Sequence, residues 1–173
     1  MLLVVAIIAL LAATAGGLYA RGHRRMLVEK TARDLVLAAK YARMLAVEKQ
    51  RPCRLVLDTG ASLFYLTIDV SDDQTGLTEK TVVRDQYCKP VELPPDVEFE
   101  KLRVTSDTGL TEQPAGASTE VVFAPNGTAE AAIVQLGDGT NHYTVVISAP
   151  TAKAKMMLGA AENIPSDTVD LDV

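Results

Sequence analysis

The chain has 173 residues, two cysteines, two histidines and a net charge of −5, with a mean hydropathy of +0.14. That length holds one globular domain of roughly 120 residues beside a long helix, and no second core. The two cysteines lie far apart with no histidine near them, which excludes the usual zinc spacings. No phosphate loop or dinucleotide fingerprint is present, so no cofactor or metal is expected.

From Met1 to Ala20 there is no charged side chain, and Leu2–Ala13 is apolar throughout. Twenty helical residues reach roughly 30 Å, the thickness of a bilayer's hydrocarbon core, so residues 1–20 are expected to form a transmembrane half-helix. Gly16 and Gly17 soften it by about 1 kcal/mol each relative to alanine. Tyr19 suits the headgroup boundary, and Arg21, Arg24 and Arg25 mark the exit. A cleaved signal peptide fits poorly: no basic residues precede the apolar run, and cleavage at its small residues (Ala12 to Gly17) would cut an unbroken helix.

The helical pattern continues over residues 21–51. Val28, Ala32, Leu35, Ala39, Ala42 and Ala46 recur at alternating steps of four and three and form one stripe. Leu27, Val36, Leu45 and Val47 widen it, so this half is expected to lie against a sheet. Pro52 ends the helix, because the residue before a proline is pushed out of the α region. Basic residues here are mixed with Glu29, Asp34 and Glu48, the pattern of a solvated face, and no nucleic acid partner is expected.

From Cys53 the pattern changes to period two and short apolar runs. Strands are predicted at Cys53–Leu57, Ser62–Ile68, Thr81–Arg84, Val97–Val104, Thr119–Phe123, Ala129–Leu136 and His142–Ser148, with a last one near Ala152–Met157. Asn126-Gly127 predicts a two-residue hairpin, and Gly137-Asp138-Gly139-Thr140 joins the following pair. Residues 71–80 and 106–118 are polar and read as loops. The expected architecture is α+β: a long N-terminal helix packed on an antiparallel β-rich head at 52–160, with an acidic tail at 161–173. Cys53 and Cys88 are either buried free thiols or, outside the cytoplasm, the ends of a disulfide closing a loop of about 35 residues.

Several segments together resemble a known family. Leu2–Ala13 is similar to the N-terminal helix of type IV pilins and type II secretion pseudopilins. Asp34–Val47, followed by Arg51-Pro52-Cys53-Arg54-Leu55-Val56-Leu57, is similar to the minor pseudopilin H branch with its FimT-like pilus relatives. Val121–Thr128 resembles that branch's apolar, Phe, Pro, Asn-Gly hairpin, and Tyr143–Ser148 its closing strand. The resemblance implies a non-enzymatic subunit. Its assembly helix, including Leu3, Val4, Ile7, Ile8, Leu10 and Leu11, joins other pseudopilins or pilins in a filament at the bacterial inner membrane, in contact with membrane lipid.

It also implies a short leader cut by a prepilin peptidase, with methylation of the new N-terminus, and a glutamate before the apolar run. Met1-Leu2-Leu3-Val4-Val5 resembles the residues just after that glutamate, so the resemblance implies a start upstream of Met1. Arg21, Arg24 and Arg25 would by themselves place the head in the cytoplasm; the family topology places it in the periplasm. A type IV pilus or DNA-uptake minor pilin shares these features.

One rival pattern is present. Leu55-Val56-Leu57-Asp58-Thr59-Gly60-Ala61-Ser62 has the form of an aspartic protease turn, with Asp58 as the catalytic carboxylate of a membrane-tethered, retroviral-type dimer. Asp107-Thr108-Gly109 follows too soon for a two-lobed enzyme. The same residues are equally a hairpin turn, the role the pilin-like reading requires. His23 and His142 have no acid or nucleophile at useful spacing in the sequence. Asp167, Asp170 and Asp172 lack a glycine-kinked calcium loop and read as a solvated tail.

Overall fold

The structure is a computed structural model. It describes the backbone of residues 2–71, 78–85, 88–106, 109–112 and 118–161, and the side chains of 22–70, 80–85, 88–104 and 118–161. One helix, α1 (Leu2–Lys49), precedes ten strands. These are β1 (Cys53–Asp58), β2 (Leu63–Ser71), β3 (Thr78–Val82), β4 (Val91–Glu92), β5 (Glu98–Ser106), β6 (Gly109–Glu112), β7 (Ser118–Phe123), β8 (Ala132–Gly137), β9 (His142–Ile147) and β10 (Ala154–Leu158).

Helix α1 ends where proline requires it. Gln50 takes a left-handed φ of 53°, Arg51 N donates to Ala46 O at 3.3 Å, and the Gln50 side chain donates to Val47 O at 2.8 Å. Two of the last four carbonyls, those of Ala46 and Val47, are thereby satisfied before the chain turns into β1.

The strands form two antiparallel sheets rather than the one sheet expected. The first has the order β3-β2-β1-β7, with β4 added beside β2; the second runs β10-β9-β8-β5-β6. Helix α1 touches strands of both. The predicted stripe is the seam: Val28, Ala32, Leu35, Ala39, Ala42 and Ala46 are all fully buried. Five of those six are small or β-branched, which lets the helix axis come close to both sheets. Leu27 and Val36 pack partly against the same core and Leu45 is buried, but Val47 is exposed and does not widen the stripe. From the sheets, Cys53, Leu55, Leu57, Phe64, Leu66, Val121, Phe123, Val134, Leu136, Val145 and Ile147 complete the core.

Two polar stretches contain structure that their composition hides. Gly109–Glu112, inside an expected loop, pairs with Arg103–Ser106 as the edge strand β6. Strand β3 starts at Thr78, earlier than predicted, and pairs with Thr67–Ser71. Edge strands need only one partner and no buried face, so neither needs an apolar pattern.

Asn126-Gly127 makes a tight turn but no full hairpin. Gly127 has φ 86°, Ala124 N donates to Thr128 O at 2.9 Å, and Phe123 and Ala129 form a single bridge. Before it β7 pairs with β1, whereas after it β8 pairs with β5 and β9. The turn is therefore the crossing point between sheets. The predicted β8–β9 hairpin does form. Its Asp138 carboxylate accepts from Thr140 N at 2.9 Å, Asn141 N at 2.6 Å and the Asn141 side-chain amide at 3.0 Å. The acidic tail 162–173 lies outside the described residues.

Candidate assembly surface

The residues expected to drive assembly, Leu3, Val4, Ile7, Ile8, Leu10 and Leu11, lie outside the described side chains, although their backbone is helical. Among the described residues no helix is long and apolar enough to cross a membrane. The side chains of the membrane half expected at 1–20 lie outside the described ones.

The soluble half of α1 presents a second apolar stripe that the sequence reading missed. Met26, Leu37 and Met44 are 69%, 61% and 51% exposed, and Val47 stands beside them at 43%. Steps of eleven and seven residues return to the same side of a helix, so Met26, Leu37 and Met44 share one face, opposite the buried stripe. The signal was in the sequence. It was hidden because Lys30, Arg33 and Lys40 interleave with it and make the face read as solvated.

Charged groups flank this surface without covering it. Arg33 pairs with Glu29 at 2.5 Å across one helical turn, and Glu29 also accepts from the Tyr143 hydroxyl at 3.3 Å. Arg24 reaches Asp96 at 3.9 Å. The Tyr143 hydroxyl, hydrogen-bonded to Arg25, raises the pKa of that guanidinium. A cleft of about 580 Å³ lies between Gly22, Arg24 and Arg25 of the helix and Asp138, Thr140 and Asn141 of the β8–β9 turn. At the other end, about 500 Å³ separates Leu45, Lys49 and Arg51 from β2 and β3.

Asp58 occupies the β1–β2 turn. Its carboxylate accepts from Ala61 N at 2.8 Å, and Asp58 pairs with Leu63 across the hairpin. Ser62, with φ 51°, completes the reversal. This is the turn role of an Asp-Thr-Gly segment. The second such segment lies partly outside the described residues.

The fold does bring one acid to a histidine that sequence spacing left alone. Strand β5 is paired to β8 with a register shift between Phe99 and Lys101, which makes Glu100 the extra residue of a bulge. The bulge turns its carboxylate over Gly137, where an added Cβ would lie 2.0 Å from Glu100 Oε1. There Glu100 meets His142 Nδ1 at 2.7 Å and accepts from the Gln135 amide and, at 3.3 Å, from Gly139 N. Gln135 in turn accepts from Ala161 N at 2.8 Å. The cluster ties β5, β8 and β9 to the end of the described chain. Among the described residues no group of three His, Cys, Asp or Glu side chains could hold a metal ion, and Asp167, Asp170 and Asp172 lie outside them.

Cys53 and Cys88 are both buried and both free thiols in this structure. Burial pushes the Cys53 thiol up to about 12, with smaller effects from Cys88, which raises it further, and Arg54, which lowers it. Burial raises Cys88 as well, followed by the charge of Asp85. Neither is a nucleophile at neutral pH.

The fold agrees with what the chain is similar to. A family model described as type II transport protein GspH matches residues 31–151. Two solved structures of the minor pseudopilin EpsH from the type II secretion system of Vibrio cholerae share the fold. One is 11% identical with a TM-score of 0.52, covering 77% of this chain and 96% of that one. The other is 9% identical with a TM-score of 0.58, covering 79% and 98%. No curated protein matches in sequence.

Proposed function

The chain belongs to the GspH family of type II transport proteins, and from that premise we propose that it is a structural minor pseudopilin that assembles with other pseudopilins through helix α1. In this reading residues 1–20 anchor the chain in the bacterial inner membrane, and 21–51 join that anchor to the head. Residues 52–160 form the head in the periplasm, and 161–173 an acidic tail. The protein performs no reaction of its own.

The observation that carries this is the two-faced soluble half of α1. One stripe is spent entirely on the head, and the opposite stripe, Met26, Leu37 and Met44, is apolar and uncovered. Hydrophobic residues aligned over nearly twenty positions of a monomer's outer face supply contact area for another subunit. The uncharged run Leu2–Ala20 of the same helix supports continuing that contact toward the membrane.

The test is secretion by a strain lacking this protein, complemented with the full chain or with a Leu37→Glu/Met44→Glu variant. The wild type should restore export of a type II substrate. The variant should fail while keeping wild-type levels and thermal stability, and a photo-crosslinker at position 37 should capture another pseudopilin. Full rescue by the double variant would remove the stripe from the assembly. An Asp58→Asn variant that folds but abolishes function would instead favour the protease reading.

A further inference from the structure

The cleft between α1 and the β8–β9 turn lies close to the end of the uncharged run Leu2–Ala20. Gly22, Arg24 and Arg25 stand about 3 to 8 Å along the helix axis beyond Ala20. With residues 1–20 in the membrane, that is the level of the headgroup layer, about 5–8 Å thick on each side of the hydrocarbon. At this level Asp138, Thr140 and Asn141 of the turn face the helix across a cleft of about 580 Å³. The cleft is open beside the helix: an added Cβ on Gly22 would meet nothing within 4 Å.

Its walls carry opposite charges. On the helix side, Arg24 reaches Asp96 at 3.9 Å with both side chains half exposed, a contact too long to occupy the five donors of a guanidinium. Arg25 spends one hydrogen bond on Tyr143. On the turn side, Asp138 Oδ1 accepts from Thr140 N and Asn141 N, while Oδ2 accepts from the Asn141 amide at 3.0 Å. A carboxylate offers about four acceptor positions, so one remains open, on Oδ2. Burial works against the Asp138 charge, but the hydrogen bonds from Asn141 and Thr140 and the charge of Arg24 outweigh it, and the carboxyl stays below its ordinary range. A second recess of about 310 Å³ shares Arg24 and Asp138 and adds Asp96, Glu98 and Glu100. That acidic rim disfavours a ligand with net negative charge.

We propose that this cleft binds the zwitterionic headgroup of an ethanolamine phospholipid, with Arg24 and Arg25 on its phosphate and Asp138 on its primary ammonium. The site rests on the membrane anchoring proposed above for residues 1–20. Guanidinium forks match phosphate oxygens, and a basic pocket beside a membrane helix is the usual seat of a lipid headgroup. A primary ammonium has three N–H donors, one of which fills the open position on Asp138 Oδ2; the quaternary ammonium of a choline lipid has none. A glycerol headgroup brings the phosphate charge with no cation to answer Asp138 and the acidic recess. The ethanolamine headgroup satisfies both walls, and binding it seats the β8–β9 turn on the bilayer surface, a second attachment of the head beside the helix.

The experiment uses the full chain in mild detergent, given equal amounts of ethanolamine, choline and glycerol phospholipids of one acyl composition and weighed intact with its bound lipid. One ethanolamine lipid should be bound, favoured about tenfold over either competitor. Gly22→Phe, which puts a ring into the open cleft, and Arg24→Gln should both abolish that preference while melting with the wild type. Asp138→Asn keeps an acceptor for the turn and should lose only the discrimination of ethanolamine from choline. Equal binding of the three lipids, a preference for the glycerol lipid, or an ethanolamine preference that survives in Gly22→Phe overturns the site. Displacement of the lipid by soluble glycerophosphoethanolamine at equal concentration overturns the lipid as its source. Carbonate washing of cell membranes judges the anchor separately. Release of the chain overturns the anchor and with it the lipid as the cellular ligand, whereas retention without an ethanolamine preference overturns the cleft alone.

Discussion

The two faces of α1 are built from similar material and do opposite things. The inner face carries Val28, Ala32, Leu35, Ala39, Ala42 and Ala46, all closed from solvent, and the outer face carries Met26, Leu37 and Met44, all open. The difference lies in size and rigidity as much as in burial. Alanine and β-branched side chains give a narrow seam with little rotamer freedom to lose, suited to a permanent contact with two sheets. Leucine and methionine are longer and more adaptable, suited to a contact made after folding. One face therefore serves the stability of the subunit, and the other is the one the proposed assembly would use.

That contrast can be broken most decisively at neighbouring leucines. Leu35→Ala should cost about 3 kcal/mol in chemical denaturation, the usual loss for an emptied leucine site in a core, whereas Leu37→Ala should stay within about 0.5 kcal/mol of wild type. Equal losses would mean the two faces are not distinct. Next in size is overpacking of the seam: Ala39→Leu should destabilise by about 2 kcal/mol, and Lys40→Leu on the exposed side should not.

Tyr41 stands between the faces. Tyr41→Phe removes the bond to Asp85 and should cost about 1 kcal/mol at neutral pH. Its pKa is pushed up to about 12 by that hydrogen bond first and by burial second. The folded value lies above the unfolded one, so this contribution is complete below pH 10 and disappears as pH rises toward 12. A stability–pH titration should therefore fall more gently over that window in the phenylalanine variant. The smallest effect belongs to the outer charges: Arg33→Ala removes an exposed pair and should shift stability by less than about 0.5 kcal/mol at moderate salt.

How much of this could be read beforehand follows from the range over which each signal acts. The inner stripe was legible because a 3.6-residue period is local, and all six of its predicted members are buried. The helix stop was legible for the same reason, since Pro52 restricts the residue before it. Strand positions were mostly recovered, while their division into two sheets was not. Nothing within Ser118–Phe123 or Ala132–Gly137 states that the first pairs with β1 and the second with β5 and β9. Asn126-Gly127 announced a reversal correctly, but the pairing across it is short, from Ala124–Thr128 to Val122–Glu130, and β8 continues in the other sheet.

The Glu100–His142 contact was out of reach, because it depends on a one-residue bulge that re-aims a side chain 42 positions away. Asp58 was resolvable only by its hydrogen bond to Ala61. Of the candidate assembly residues, the outer stripe escaped attention because lysine and arginine on the same face dominate its average.

The seam along α1 also has a mechanical meaning. In the proposed assembly a subunit held by its helix would be pulled along the helix axis, and the head would have to follow. Because the buried stripe grips both sheets over Val28 to Ala46, axial tension loads that seam in shear, with all its contacts sharing the strain together. A helix attached at one end of a single sheet would peel, one contact at a time, under far less force. Fastening one side of a long helix to two sheets along its length spreads such a load over the whole seam.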